Sequence, residues 1–151
     1  MFRIKTSSKG NDNLFYSAWD WITIGIIIFT FVIIVLSTSM VDFRVGIIVG
    51  FIFVMIEYYA FSSIYYEITN DSLIIYDKTK TISCPIKNIV SIKPTKSIIA
   101  APASSLTKRL EISYRNDKGV VSAKPIIISP SRQQQFIIKL ISINPQIVKK
   151  V

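Results

Sequence analysis

The hydrophobic pattern divides the chain into a continuously apolar first part and an alternating second part. Between residues 21 and 56 only Asp42 and Arg44 carry a charge. The first run, 21–41, holds about 20 residues without a charge, enough for a helix to span a hydrocarbon core of roughly 30 Å. The second run reaches a similar length over 45–64. The pattern therefore predicts an antiparallel pair of membrane helices.

A cleaved signal peptide is the alternative for the first run. Signal cores are about 7–15 residues long and end in small residues, which Ser37-Thr-Ser39 imitates only weakly. The second run follows almost at once, which favours a hairpin with a tight loop at Asp42-Phe43-Arg44. Gly46 and Gly50 have the four-residue spacing that lets helices approach closely, and Gly25 could face them. Glycine is also simply common in membrane helices.

The distribution of basic residues predicts the orientation of the hairpin. Arg3, Lys5 and Lys9 precede it and fourteen basic residues follow it, whereas the loop has only Arg44. Cytoplasmic segments are enriched in lysine and arginine. We therefore expect a multi-pass protein of the bacterial inner membrane with both termini in the cytoplasm. Aromatic belts are expected with Tyr16, Trp19 and Trp21 at one interface, and with Tyr58, Tyr59, Tyr65 and Tyr66 near the other end.

Glu57 is an acid inside the second predicted span. An ionisable group within a membrane helix can mark an ion path or a partner contact. Glu57 can instead reach toward water beside the neighbouring tyrosines, one or two turns from the headgroups. The second interpretation is favoured because the sequence offers no second charge within the membrane to extend a relay.

From residue 65 onward, short alternating segments are separated by turn residues, which is typical of a small β-sandwich or barrel. Strands are predicted at 66–69, 72–76, 81–84, 109–114, 120–123 and 125–129. Turns are predicted at Asn70-Asp71, Asp77–Lys80 and Asn116–Gly119. Between the third and fourth strands, Pro85 opens a segment with apolar positions at Ile86, Ile89, Val90 and Ile92.

The last predicted element is an amphipathic helix. Its apolar positions are Phe136, Ile137, Leu140 and Ile141. Ser129 or Ser131 is expected to cap it, with Pro130 in the first turn and Asn144-Pro145 at its end. The chain is therefore predicted to be α+β, with the transmembrane hairpin followed by a partly open antiparallel barrel or sandwich, capped by one C-terminal helix. That element order is the pleckstrin-homology (PH) architecture. The predicted divisions are a cytoplasmic segment (1–20), the hairpin (21–64) and a PH-like domain (65–151).

Seven ordered motifs make the region 65–147 resemble the bacterial PH-like domains sometimes called YyaB-like. The resemblance implies a fold, often preceded by a membrane helix or hairpin, and no particular activity. In such domains the link between the Ser-Leu and Arg-Leu pairs is usually shorter, so Thr107-Lys108 resembles an insertion. The motifs are Tyr66-Glu-Ile-Thr-Asn-Asp-Ser-Leu-Ile-Ile75, Ile82 to Ile86 with Ile89 and Ile92, Ala100-Ala-Pro-Ala-Ser-Ser-Leu106, Arg109-Leu-Glu-Ile-Ser-Tyr114, Ile128-Ser-Pro130, Phe136-Ile137 with Leu140, and Asn144-Pro145.

Composition argues against an enzyme. The chain has 151 residues, half of them apolar, and a mean hydropathy of +0.46, which excludes a wholly soluble or disordered protein. It has one cysteine and no histidine, so it lacks the commonest general base and metal ligand. We predict no catalytic residue, cofactor or metal. Cys84 is expected to be a buried thiol, and Asp71 and Asp77 to be turn residues.

The segment Ala100–Arg109 is the strongest candidate site. Ser104, Ser105, Lys108 and Arg109 combine hydroxyls with cations, which suits an anionic group such as a lipid phosphate or a carboxylate. A structural role is the alternative. One of the serines would then cap a local turn, and Arg109 would pair with an acid or donate to loop carbonyls.

Residues 65–151 carry fourteen basic and five acidic side chains, which would draw the domain toward an anionic leaflet. Nucleic acid is an unlikely partner, because basic and aromatic residues are not interleaved. The first functional hypothesis is a non-enzymatic module that binds a protein partner or organises a membrane complex. The alternatives are an anionic-lipid sensor and an immunity factor against a membrane-active toxin.

Overall fold

The computed structural model describes residues 13–40, 42–78, 80–99, 101–116 and 119–150. Several features of the sequence analysis lie outside the described residues. They are the basic residues Arg3, Lys5 and Lys9, the end of the first predicted span at Val41, Thr79 in the second predicted turn, Ala100 in the candidate segment, and Asp117-Lys118 in the last predicted turn.

The hairpin consists of α1 (Trp21–Ser39) and α2 (Phe43–Ser62), both long and apolar enough to cross a membrane. Only 6% and 11% of the two apolar stretches are buried within the protein, unlike the core helices of a soluble fold. Each helix starts after a capping aspartate, Asp20 or Asp42, whose carboxylate accepts a backbone N–H of the first turn. Capping by Asp42 explains why α2 starts two residues before the predicted span.

The two helices are in close contact at Gly50. A Cβ atom there would lie 2.8 and 2.9 Å from the ring of Phe31 and 3.1 Å from Val35, so only glycine fits without movement. Gly46, four residues earlier, is also buried. The expectation for Gly25 was wrong, because it is exposed and nothing lies within 4 Å of a Cβ built on it.

The first sheet contains a strand that the sequence analysis did not predict. β1 (Leu14–Tyr16) pairs antiparallel with β2 (Tyr65–Ile68), which pairs with β3 (Ser72–Tyr76), which pairs with β4 (Thr81–Pro85). Residues before the hairpin therefore add to the sheet that follows it. The domain boundary at residue 65 stays a prediction. β1 lies before that boundary and is paired with the first strand after it.

The second sheet has the order β7-β6-β5-β8. β5 (Ile89–Thr95), β6 (Arg109–Tyr114) and β7 (Ile126–Ile128) are antiparallel, and β8 (Val148–Lys149) runs parallel to β5. The predicted strand 120–123 was wrong. Only an isolated bridge between Arg115 and Val121 forms there.

Helix α3 (Gln133–Ile143) covers the core that the two sheets enclose. Its buried Phe136 packs edge-on against Phe15 of β1, with ring centroids 5.2 Å apart. The predicted caps were wrong, because Arg132 precedes the helix without a side-chain cap and Ser129 is used elsewhere. The predicted stop was right, with Asn144 as the C-terminal cap. The α+β, PH-like fold is confirmed.

The domain has two ends along its strands. The hairpin end is where α1 begins, α2 ends, and residues 77–80 and 96–108 connect strands; Lys78 lies 3.3 Å above the ring of Tyr59 on α2. The far end carries the 69–72 turn, the short 3₁₀ helix Ile86–Asn88 and the segment after Tyr114. β6 runs from the hairpin end to the far end, about 17 Å for five steps along a strand.

Candidate functional site

The carboxylate of Asp20, directly before α1, is bound by the loop between β5 and β6. Its Oδ2 atom accepts hydrogen bonds from the Ser105 hydroxyl and the Leu106 backbone N–H, each at 2.7 Å. It also accepts the backbone N–H of Thr107 at 2.7 Å and the Thr107 hydroxyl at 2.8 Å. The Oδ1 atom accepts the backbone N–H and hydroxyl of Thr23, both at 2.8 Å. One carboxylate therefore caps α1 and fixes the loop.

These contacts satisfy a charge that is almost inaccessible to water. Asp20 is 5% exposed, and a buried carboxylate is costly unless it is hydrogen-bonded. Burial alone would raise the pKa of Asp20, but the hydrogen bonds from Thr23, Ser105 and Thr107 outweigh it. The pKa of Asp20 is consequently held well below its usual range, and the group stays ionised at physiological pH.

Ser104 connects the same loop to both helices. Its hydroxyl donates to the carbonyl oxygen of Phe61 in the last turn of α2 at 2.6 Å. Its carbonyl oxygen lies 2.8 Å from the hydroxyl oxygen of Thr23 in the first turn of α1, and its backbone N–H donates to the Ser17 hydroxyl at 2.9 Å. The loop is thus held against the hairpin at the end where both helices meet the domain.

Tyr66 extends this polar cluster into the core. Its hydroxyl donates to the Pro102 carbonyl oxygen at 2.7 Å, accepts the Ser129 backbone N–H at 3.0 Å, and lies 3.1 Å from the Ser17 hydroxyl. Ser129 and Ser17 also share a hydrogen bond between hydroxyls. Burial raises the pKa of Tyr66, although these hydrogen bonds oppose the shift. Its assignment to an aromatic belt was wrong, because its side chain is completely buried.

Arg109 fixes the rest of the loop. Its Nε donates to the Ser105 carbonyl oxygen at 2.6 Å, and its Nη1 donates to those of Ser97 and Ile99 at 2.8 and 3.0 Å. Burial lowers the pKa of Arg109 and the nearby charge of Asp20 raises it, while a guanidinium remains charged in any case. This arrangement corresponds to the structural alternative for Arg109, donation to loop carbonyls.

The structure thus brings three of the four predicted site residues together as buried groups. Ser104, Ser105 and Arg109 all bind atoms of the chain itself, and Lys108 is exposed beside them. The Ser105 hydroxyl also accepts the Lys108 backbone N–H at 2.8 Å, as expected of a turn cap. The predicted affinity for an anion has a counterpart in Asp20, which supplies a carboxylate from within the chain. Binding of an external anion stays a prediction.

The hairpin helices carry the other predicted site residue. Glu57 is half-buried on α2, and its Oε2 atom has no hydrogen-bond partner among the described residues. Its role stays a prediction. The sequence analysis expected the aromatic residues before the hairpin and the tyrosines after it at different ends. In the structure, Trp19 packs on Tyr58 and Phe61, with ring centroids 5.7 and 6.1 Å apart, so the two groups meet at the same end of the hairpin.

No cluster of metal-ligating side chains occurs within the described part of the chain. Cys84 is buried, and burial raises the pKa of its thiol to about 11, so it is a poor nucleophile near neutral pH. The buried thiol agrees with the sequence-based expectation.

Comparison with known families identifies the fold directly. A model described as a bacterial PH domain matches residues 64–144, more than half of the chain. The chain belongs to the bacterial PH domain family. Neither the curated proteins nor the solved structures gave a match. The matched region contains residues 101–107 and Arg109. Ser17 and Asp20, which bind residues 104–107, lie before the matched region.

The junction residues outside the family match were missed by the sequence analysis. Asp20 could have been recognised as a helix cap from its place before an apolar run. Nothing in the sequence connects it with Thr107, since the two are 87 positions apart. Thr107, which resembled part of an insertion, supplies two of the hydrogen bonds to Asp20.

Proposed function

We propose that the chain is a membrane-anchored, non-enzymatic binding module. Its hairpin crosses the bacterial inner membrane, and its PH domain holds a protein partner at the cytoplasmic surface. The observation that carries this proposal is the Asp20 site, where the residue before the first helix is bound by a loop of the PH domain. An anchor joined in this way sets the orientation of the domain.

The connections on both sides of the hairpin support a fixed orientation. Only Ser63 and Ile64 separate α2 from β2, and Ser104 binds the last turn of α2. On the other side, only residues 17–20 separate α1 from β1, which is part of the first sheet. A module that only needed a tether would not require a hydrogen-bonded junction. A fixed orientation suits a protein that presents one surface to its partner.

The open corner of the PH domain is the surface best suited to a partner segment. β4 ends the first sheet and β7 ends the second, and neither has another strand on its outer side within the described residues. A cavity of about 550 Å³ lies between them, with Ile82, Pro102 and Ile127 in its wall and Lys80 and Lys124 beside it. An extended peptide can add to such an edge, with the pocket accepting its apolar side chains.

Site-specific crosslinking in the native membrane tests this proposal. A photo-crosslinking residue would replace Ser83, which is exposed on β4, in the full-length chain. Ser142, an exposed serine on α3, provides the matched control position. We expect a discrete crosslinked partner from position 83 and none from position 142. The crosslink should disappear in an Ile82→Lys variant, because a charge would replace an apolar side chain of the cavity wall.

Two results would count against the proposal. Equal crosslinking from both positions would show that the edge is not the partner site. A chain that alkaline carbonate extracts from membranes would show that the hairpin does not span the bilayer. Reporter fusions at Asp42 and Val151 test the proposed orientation, which requires an external loop and a cytoplasmic C-terminus.

A further inference from the structure

The hairpin end of the PH domain carries an exposed apolar pair that the folded domain does not use. Ile98 and Ile99, in the loop between β5 and β6, are 80% and 68% exposed. Isoleucine side chains are usually buried in a soluble domain, so a neighbouring exposed pair indicates a contact surface. Ile99 also forms part of the wall of the cavity at the open corner.

The loop that carries this pair is held in position. The Nη1 atom of Arg109 binds the carbonyl oxygens of Ser97 and Ile99, on either side of Ile98. The Ser97 backbone N–H also donates to the Thr95 hydroxyl at 3.2 Å. The exposure of Ile98 and Ile99 is therefore built into the fold, because the backbone that carries them is bound to a buried side chain.

The position of the loop relative to the hairpin identifies what it contacts. Arg109 binds the Ser105 carbonyl oxygen through Nε and the Ile99 carbonyl oxygen through Nη1, so these two carbonyls are separated by one guanidinium group. Ser104, the residue next to Ser105, touches the first turn of α1 and the last turn of α2. The exposed pair therefore lies near the end of the hairpin where α1 begins and α2 ends.

Exposed lysines surround this end of the domain. Lys96 and Lys108 flank the loop, and Lys78 and Lys80 lie in the neighbouring β3–β4 turn. The side chain of Lys78 already rests on the ring of Tyr59 near the end of α2. Apolar side chains between lysines match the boundary between acyl chains and anionic headgroups.

From this juxtaposition we infer that Ile98 inserts into the bilayer interface beside the hairpin, with Lys78, Lys96 and Lys108 among anionic headgroups. Ile99 and Lys80 lie at the boundary between this surface and the cavity. The inference rests on the proposed membrane insertion of the hairpin and adds a third point of membrane contact. It makes the PH domain lie against the bilayer at its hairpin end and leaves the far end directed toward the cytoplasm.

Depth-dependent fluorescence quenching tests the inference on the full-length chain in vesicles. An environment-sensitive label would be attached at Ile98→Cys and quenched by nitroxide-bearing lipids. Val120→Cys is the matched control, because Val120 is 61% exposed and lies at the far end, where it bonds to Asn116. The parent chain serves as the labelling blank, since its Cys84 is buried and its pKa is raised. A label at Met55→Cys, exposed on α2, reports insertion of the hairpin.

We expect the label at 98 to be blue-shifted and quenched, and the label at 120 to remain in water. The difference in depth should be on the order of 15 Å, close to the roughly 17 Å length of β6. Phosphatidylglycerol added to phosphatidylcholine vesicles should increase quenching at 98, and high salt should reduce that increase, because screening weakens attraction of the lysines.

The failures of the two proposals are distinguishable. Quenching at 55 without quenching at 98 would overturn the inference and leave the membrane anchor intact. Absence of quenching at 55 would overturn the membrane anchor itself. A label at 98 that is shielded in native membranes but not in pure lipid vesicles would identify a protein as the partner of the loop and would also overturn the inference.

Discussion

Asp20 and Thr107 are 87 positions apart and are joined by two hydrogen bonds, of 2.7 and 2.8 Å, to the same carboxylate oxygen. Asp20 ends the segment before the hairpin, and Thr107 ends a loop of the PH domain. Formation of this pair requires the chain to return to the start of α1 after passing through both helices and four strands. The anchor and the domain are therefore parts of one folded unit.

The Asp20→Asn substitution should destabilise the junction. Asparagine still caps a helix, but its amide group replaces an acceptor that faces the donors of Ser105, Leu106 and Thr107. We expect a loss of about 3 kcal/mol in the free energy of unfolding, because buried hydrogen bonds to a charged group are left unmade. Thermal unfolding of the full chain in detergent measures the effect.

Asp42→Asn is the control for that experiment. Asp42 caps α2 in the same way but is exposed, and its carboxylate accepts the Arg44 backbone N–H at 2.8 Å. Because asparagine and aspartate cap about equally well, we expect a change within about 0.5 kcal/mol. Equal losses in the two variants would show that helix capping, and not the bonds to the loop, explains the importance of Asp20.

Acid should weaken the protein through Asp20. The pKa of this carboxyl is below its ordinary value of 3.8 in the folded protein, so the unfolded chain binds a proton first as the pH falls. The stabilisation is fully present above the unfolded pKa and is lost progressively below about pH 4. Unfolding measured between pH 3 and 7 should show the parent chain and Asp20→Asn converging at the acid end. A constant difference across that range would contradict the assigned pKa direction.

Arg109→Lys should loosen the loop although the charge is retained. Lysine lacks the planar fork that reaches the carbonyl oxygens of Ser97, Ile99 and Ser105 together. We expect a loss of about 1–3 kcal/mol and faster amide hydrogen exchange over residues 97–105. Lys108→Gln, at the exposed neighbouring position, should change neither. Unchanged exchange in Arg109→Lys, together with lost binding to anionic vesicles, would instead indicate that Arg109 binds an external anion.

Gly50→Ala should disturb the pairing of the two helices, whereas Gly25→Ala should not. The new Cβ at position 50 would lie within 3 Å of the Phe31 ring, which already packs on Phe51. Displacing the ring should cost about 1–3 kcal/mol, measured as a lower unfolding temperature in detergent. Gly25 has open space around it and alanine is the better helix former, so a comparable loss at that position would show that the contact with Phe31 does not explain the loss at position 50.

Local patterns were sufficient for much of the fold. The long apolar runs predicted both helices, and alternation predicted β3 within its observed bounds, Ser72–Tyr76, because side chains on a strand face core and solvent in turn. The pattern failed at residues 120–123, whose alternation is not matched by a regular partner strand. It also missed β1, because three residues are too few to establish a period.

The candidate segment was proposed for its chemistry, and the partner that it has inside the protein was not predicted. Hydroxyls and backbone N–H groups favour an anion, and residues 105–107 donate to one. That anion is the carboxylate of Asp20, and the pairing depends on long-range packing of β1 and α1 against the domain. Ser129 shows the same limit, because the sequence assigned it to a helix cap and the fold uses its hydroxyl to bind Ser17.

The sequence by itself determined the three helices and the strands β2, β3, β4, β6 and β7, because helix and strand periods and membrane-spanning length are local properties of the chain. It also determined the resemblance to PH domains through the order of its motifs. Only the tertiary structure decided which polar groups meet, as in the six hydrogen bonds of Asp20 with residues of two separate segments. The physical reason is that a buried charge needs donors at short distance, and residues distant in sequence supply them only after the sheets and helices have packed.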